Sequence, residues 1–284
     1  MRAVRRSSSP RSVYEYDNAK LIYDLSSSVM DGIRAHFPSM WKEIFAMATV
    51  RSIRHAPMKY MDAAWEKLYL SQEVDASMSP SILSSILRSI GKDWESQRSF
   101  FRGLMKEGDT ILFYLSSIFS NGGNVLLAEK GYNRHRINLR QINFAMAFSH
   151  SDFIPTALKP LPGSVRDVES IISFLRGFDF RKSILVLDRG FFSYHNIEYF
   201  LNNCIDFIQP LSRGSKIIDY SLKTESVLTY RDRGIRYSKV EVTERMRKYI
   251  SVKEDRRVFL YIYEDVKLKG EGESNLIILM AIRL

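Results

Sequence analysis

The apolar run Ser183-Ile184-Leu185-Val186-Leu187 ends in Asp188-Arg189-Gly190. Such a run predicts a buried strand. An acid at its carboxyl end is held rigidly at the crevice where open α/β sheets bind ligands. A carboxylate so placed suits phosphodiester chemistry, in which two divalent ions about 3.5–4 Å apart clamp the attacking and leaving oxygens. Hard ions such as Mg²⁺ take oxygen ligands, and fixing two of them needs several carboxylates. The same spacing also fits an Asp that merely opens a turn. Arg189 is placed either to grip a phosphate bidentately or to pair with a neighbouring acid. Phe191 and Phe192 either stack on an unpaired base or pack the next helix onto the sheet. Five scattered histidines and one cysteine, Cys204, are poor material for a zinc cluster. A lone cysteine excludes an intramolecular disulfide and fits a reducing, cytoplasmic setting.

Charge narrows the partners. Forty-two Lys and Arg against thirty-two Asp and Glu give the 284 residues a net charge of +10. That balance favours polyanions, or describes a merely basic soluble protein. From Arg231 to Arg257 there are ten basic residues and five acidic ones, and Lys130, Arg134, Arg136 and Arg140 follow one another without an acid between them. The candidate DNA contacts are therefore Arg134, Arg136, Arg189, Arg245, Arg247 and Lys248. Tyr132, Arg134 and His135 read either as a DNA-facing loop or as a solvated one. The apolar run Leu276 to Ile282 is too short to cross a bilayer. No apolar stretch follows the basic start, so neither a membrane span nor a secretory signal is expected.

The elements that must position these residues fall into four stretches. Residues 1–17 read as a basic, disordered tail able to touch phosphates. Residues 18–107 read as helical, and as a possible DNA-binding region. Trp41, Ile44, Phe45 and Ala48 recur at helical spacing, Ser79-Pro80 opens a helix, and Gly91 ends or kinks it. Trp41, Trp65 and Trp94 read as core. Arg51, Arg54, His55 and Lys59 read as a solvated or phosphate-facing patch. Residues 108–211 read as a mixed sheet: strands at 110–115, 125–128 and 142–148, with a hairpin turn at 121–124. A helix follows from Ser164, with Ser164 and Asp167 at capping-box spacing. Then come the 183–187 strand, a short helix from His195 to Asn203, and a strand at 206–209. Residues 212–284 read as β-rich, with a turn at Asp232-Arg233-Gly234 and a strand at 258–263. The order is that of an α/β protein with an antiparallel opening and parallel crossovers, as in a ribonuclease-H-like core.

Asp188-Arg189-Gly190-Phe191-Phe192-Ser193, with Asn196, resembles the second-aspartate motif of the DDE transposases. These are ribonuclease-H-like enzymes of bacterial and archaeal insertion sequences, here the insertion-sequence-four type. Gly131-Tyr132 with Arg136 and Gln141 is similar to that family's Gly-Tyr…Arg…Gln stretch. Ile154-Pro155, Leu161-Pro162-Gly163-Ser164 and Asp167 are similar to its segment before the crossover helix, and Leu87 to Gly91 to part of its helical region. The resemblance covers roughly Ile86 to Glu273. It implies a helical amino-terminal region, a ribonuclease-H-like mixed sheet with a β-rich insertion, and double-stranded DNA ends as partner. It further implies metal-dependent DNA cleavage and strand transfer with Mg²⁺ or Mn²⁺, and a homodimer or a mixed dimer with an intact copy. Of the family's Asp, Asp and Glu metal ligands, the second Asp falls on Asp188. The first falls on Tyr114, a neutral phenol and a poor ligand for a hard ion. Asp109, five residues away along the strand, is about 16 Å off. In the family's Tyr-x2-Arg-x3-Glu-x6-Lys pattern, Tyr230 and Arg233 match and Tyr237 stands at the Glu. Glu264, Asp265, Glu271 and Glu273 read as edge and turn charges. The expectation is a catalytically defective transposase whose last catalytic helix is missing and whose truncated sheet leaves apolar surface uncovered. The alternatives are a non-catalytic DNA-binding protein on the same scaffold, and an unrelated basic α/β protein.

Overall fold

A computed structural model describes residues 13–120, 122, 124–133, 137–219, 221, 226–231, 233–252, 256–265 and 275–281. Arg134, His135, Arg136, Asp232, Glu271, Glu273 and the first twelve residues lie outside that set. The chain divides into two compact units, Met1–Gly103 and Leu104–Leu284.

The first unit is helical: α1 (Asp17–Leu25), α2 (Ser27–His36), α3 (Trp41–Arg54), α4 (Met61–Trp65), α5 (Pro80–Lys92) and α6 (Trp94–Leu104). Its apolar stripes meet in a core that includes Phe45, Val50, Trp65, Leu68, Met78 and Leu83. Pro80 occupies the first turn of α5, where its missing N–H costs nothing, and the helix stops one residue past Gly91. Two residues of the basic patch have structural partners. Arg51 donates to the carbonyls of His55 (3.3 Å) and Ala56 (3.0 Å) beyond the end of α3, and Arg54 pairs with Glu15.

The second unit is built on one sheet. Its elements run β1 (Thr110–Ser120), β2 (Arg140–Ser149), β3 (Pro155–Pro162), α7 (Asp167–Leu175), β4 (Ile184–Val186) and α8 (Tyr194–Asn202). They continue with β5 (Asp206–Pro210), β6 (Ser226–Tyr230), β7 (Arg233–Glu241), α9 (Thr243–Met246), β8 (Phe259–Asp265) and β9 (Asn275–Ala281). Among the described residues the sheet has nine strands in the order β3-β2-β1-β4-β5-β9-β8-β7-β6. The pairs β1–β2 and β2–β3 are antiparallel, whereas β4 and β5 run parallel to β1. Strand β9 joins β5 antiparallel, so the β-rich stretch after residue 212 continues the same sheet.

Several local expectations change. Residues 125–128 are not a strand: Leu126 is 94% exposed and Ala128 N–H closes a turn onto Val125. The third antiparallel strand is β3, whose Pro155, Pro160 and Pro162 disguised it. Proline is tolerated there because β3 is an edge strand with one row of unpaired backbone groups. Helix α7 starts from Arg166, not Ser164, whose hydroxyl donates instead to the Glu129 carboxylate. The hairpin turn after β6 includes Arg231 (φ 47°), while Arg233 and Gly234 already belong to β7.

Helices α7 and α8 cover one face of the sheet. Phe113 meets Phe174 and Phe191 at ring distances of 5.0 and 4.9 Å, and Phe207 meets Phe200 at 5.4 Å. Strand β2 shows the consequence of period-two alternation. Gln141, Asn143, Ala145, Ala147 and Ser149 are buried, while Ile142, Phe144, Met146 and Phe148 are half-buried on the opposite face. On that opposite face Leu112, Tyr114 and Ile118 are 40%, 56% and 55% exposed.

Candidate functional site

The carboxyl ends of β1, β4 and β5 point the same way and form a crevice edge, the place where open sheets of this type take ligands. Asp188 stands there in extended backbone (φ −81°, ψ 158°). Its Oδ1 accepts the N–H of Arg189 at 2.6 Å and so opens the tight 3-10 turn Arg189–Phe191. Three neighbours lock the motif. Gln209, wholly buried in β5, donates to the Asp188 carbonyl at 2.9 Å. Phe191 is buried against Phe113, so of its two possible roles it takes the packing one. Ser193 caps α8, and Asn196 donates to the carbonyls of Phe191 (2.8 Å) and Val168 (2.9 Å), tying the starts of α7 and α8 to the turn.

Register sets Tyr114 and Asp188 equally far past the last paired residues of β1 and β4. Leu112 of β1 is level with Val186 of β4 in a parallel pair. That is the last pair of the ladder, and Tyr114 and Asp188 each follow two residues on, toward the crevice. The donors so collected, one carboxylate and one phenol, do not fit a pair of hard divalent ions. Among the described residues no group of three or more His, Cys, Asp or Glu is arranged to hold a metal. Asp109 lies at the other end of β1, buried and accepting from Ser151 at 3.0 Å. Burial alone would raise its carboxyl pKa, but the Ser149 and Ser151 hydroxyls and the Thr110 and Ser151 N–H groups hold it below the ordinary value.

Beside the crevice a close-packed polar knot explains two of the family-like stretches. Gln141 donates to the carbonyls of Tyr132 (3.0 Å) and Gly163 (3.1 Å). Asn143 donates to Val165 (3.0 Å) and Gly163 (3.3 Å) and accepts from the Ser117 hydroxyl at 2.7 Å. A Cβ on Gly131 would fall 1.8 Å from the Gly163 oxygen, and one on Gly163 would fall 1.9 Å from the Gln141 oxygen. Only glycine permits that approach of three backbones. The knot presents Tyr132, 81% exposed, at a pocket of about 340 Å³ that it lines with Ser164, Val165, Arg166 and Val168.

The two ends of the sheet differ in charge. At the end opposite the crevice four cations are matched by acids, Lys106 with Asp152 (2.7 Å), Lys182 with Glu107 (2.9 Å), Arg181 with Asp179, and buried Arg256 with Asp206 (2.9 Å), while Arg176 and Arg257 are exposed. At the crevice end Lys130, Arg166, Arg189 and Lys216 are exposed and carry no ion pair among the described residues. Arg140 and Arg213 stand at the same end. Of the residues expected to contact DNA, Arg189 is therefore at the crevice, whereas Arg245 is engaged by the Ile217 carbonyl (2.7 Å) and by Asp219 (3.2 Å). Arg247 pairs with Glu244, and Lys248 is exposed. Asp219 is held below the ordinary carboxyl range, first by the Ser221 hydroxyl and N–H and then by Arg245. Sequence reasoning missed Gln209, Asn143, Arg166 and Lys216. The first two carried a signal: an amide inside an apolar strand must find partners when buried.

No protein-family model matches the sequence, and no curated protein matches it. Among solved structures the chain is similar to one described as a cryo-EM structure of piggyBac transposase synaptic complex with hairpin DNA. The TM-score is 0.46 at 12% identity, over 95% of this chain and 61% of that one. The chain thus spans less than two thirds of the length of that protein.

Proposed function

We propose that this chain is a transposase-type protein of the insertion-sequence-four kind, built on a ribonuclease-H-like sheet, that holds double-stranded DNA at its crevice without cutting it. The observation that carries the reading is the uneven distribution of charge along the strands. Four exposed cations with no ion pair among the described residues stand at the crevice end, as Asp188 does, while at the other end Lys106, Arg181, Lys182 and Arg256 are paired with acids and Arg176 and Arg257 are exposed. A polyanion meets the larger group of exposed cations there, and phosphate contacts need no particular sequence. The family-like motifs, the antiparallel opening and the parallel crossovers support the ancestry. The place of Tyr114 in β1, two residues past the Leu112–Val186 pair as Asp188 is, supports the loss of cleavage, because a phenol in place of a carboxylate leaves the ions of a two-metal reaction without a shared ligand. DNA ends are the substrate class, and a second copy of the chain is the partner by the same resemblance.

The test is duplex binding by fluorescence anisotropy between 50 and 200 mM salt. Four phosphate contacts give a slope of log K against log salt of about −3.6, at about −0.9 per contact. Reversing Lys130, Arg166, Arg189 and Lys216 to Glu should abolish binding, whereas reversing Lys106 and Lys182 should leave it intact. An equal loss from both sets would refute the crevice assignment. Cleavage with Mg²⁺ or Mn²⁺ that vanishes in Asp188→Ala would refute the non-cutting reading.

A further inference from the structure

The face of the sheet that carries Tyr114 also carries a row of aromatic rings on β7 and β8. Tyr261 and Tyr263 stack nearly parallel, 6.1 Å apart at 9°, and Tyr237 stacks on Tyr263 at 5.9 Å and 28°. The exposed Lys239 ammonium sits over the rings of Phe259 (4.5 Å) and Tyr261 (5.7 Å). All five residues are on one face: Tyr237 is level with Tyr263, Lys239 with Tyr261, and Glu241 with Phe259. Cross-strand pairing of aromatics explains part of this, since such pairs stabilise a sheet. It does not explain why the row is only half-buried and ends in an exposed cation. Burial, followed by the neighbouring Tyr261 and Tyr237, pushes the Tyr263 phenol above its usual range.

The register ties this row to the crevice. Val186 is level with Ile208, the last pair of that ladder, and Asp188 and Pro210 each follow two residues on. Pro210 is level with Ile278, Ile278 with Tyr261, and Tyr261 with Lys239. A single line across one face thus runs Pro210, Ile278, Tyr261, Lys239, and starts two residues past the Val186–Ile208 pair, as Asp188 does. From β4, which leads to Asp188, to Tyr261 on β8 there are three strand spacings, about 14 Å, which is about four stacked nucleotides at 3.4 Å each.

We propose that the Tyr237–Tyr263–Tyr261 row with Lys239 is a binding site for unpaired nucleobases, taking a single-stranded extension of the duplex held at the crevice. The rings offer π-faces that any base can stack on, and Lys239 supplies a cation for the backbone that accompanies them. An extension shorter than about four nucleotides does not reach the rings. This rests on the DNA-binding reading above, and the experiment separates the two.

Anisotropy is measured with a labelled blunt duplex and with the same duplex carrying single-stranded extensions of two, four and eight thymidines. The expected result is no gain at two nucleotides and a gain of about tenfold or more at eight, since each stacked base contributes a factor of that order. Tyr261→Leu with Tyr263→Leu should remove the gain and leave blunt-duplex binding unchanged. Tyr261→Phe with Tyr263→Phe, which keeps the rings, should retain the gain, and Lys239→Gln should reduce it several-fold. Circular dichroism establishes that each variant is folded, and the Phe and Gln variants carry the test if the Leu pair is not. Blunt binding without any gain from an extension, or a gain untouched by the folded Leu pair, would overturn the site alone. No binding of either DNA by the unaltered chain would sink the DNA-binding reading with it.

Discussion

Gly163→Ala should strongly destabilise the carboxyl-terminal unit, and the size of the effect follows from what the new methyl group meets. Its carbon would lie 1.9 Å from the Gln141 oxygen and 2.6 Å from the Glu129 oxygen, against the 3.4 Å at which ordinary contact begins. Both obstacles are backbone, so no rotamer change relieves them. The loop at Gly163 must instead withdraw from β2 by more than an ångström. That breaks the bonds from Gln141 and Asn143 to the Gly163 carbonyl and strains the two-bond bridge between Glu129 and Gln141 (2.8 and 3.0 Å). Overpacking costs about 1–3 kcal/mol, and each buried amide left without its partner about 1–3 kcal/mol. The expected loss is about 5 kcal/mol, at the level of the whole stability of a marginal domain. Urea unfolding followed by circular dichroism should show the midpoint falling by about 2.5 M if the slope is about 2 kcal/mol/M. Gly214→Ala, whose methyl group would meet nothing within 4 Å, should stay within about 0.5 kcal/mol of the parent. A Gly163→Ala protein with its midpoint within 0.5 M or so of the parent, on the same slope, would refute the close approach of the three backbones.

Other outcomes follow from the same geometry. Tyr114→Asp should create a saturable Mn²⁺ site with Asp188, readable by electron paramagnetic resonance, and Tyr114→Asn should not; equal responses would show that the two strands are not in the register given. Arg256→Leu should cost about 3–5 kcal/mol by stranding the Asp206 charge, and Arg256→Leu with Asp206→Leu should cost clearly less; additive losses would count against a coupled pair. Because the Asp109 carboxyl is depressed in the folded chain, its stabilising contribution is complete above about 3.8 and is lost as pH falls through the lower folded value. Asp109→Asn should therefore reduce stability at neutral pH and flatten the acid limb of the stability profile. An acid limb as steep as the parent's would show that another carboxyl carries it.

The parts legible in the sequence were those set by local rules. The run 183–187 ending in Asp188, the helix after Ser193, the start of α5 at Pro80 and the helical character of the first hundred residues all follow from periodicity and capping. Strand β3 was not legible, because three prolines outweigh an apolar pattern unless the strand is known to be an edge. The four apolar residues 125–128 looked like a strand for the opposite reason: propensity was favourable, and only the absence of a pairing neighbour decides against it.

The sequence by itself determined the chemistry available: which side chains are cations, that the residue after the central strand is an aspartate, and that the opening strand carries a tyrosine at 114. Only the tertiary structure decided which of these meet. Register set Tyr114 and Asp188 equally far past the end of one ladder and drew a line from Pro210 to Lys239 through Ile278 and Tyr261. Ion pairing neutralised Lys106 and Lys182 and left Lys130, Arg166, Arg189 and Lys216 exposed at one edge. Arg245 and Arg189 are alike as residues, yet one reaches into Ile217 and Asp219 and the other stands at the crevice. The reason is that strand pairing, face and charge compensation are properties of residues distant in the chain, and no window along it contains both partners.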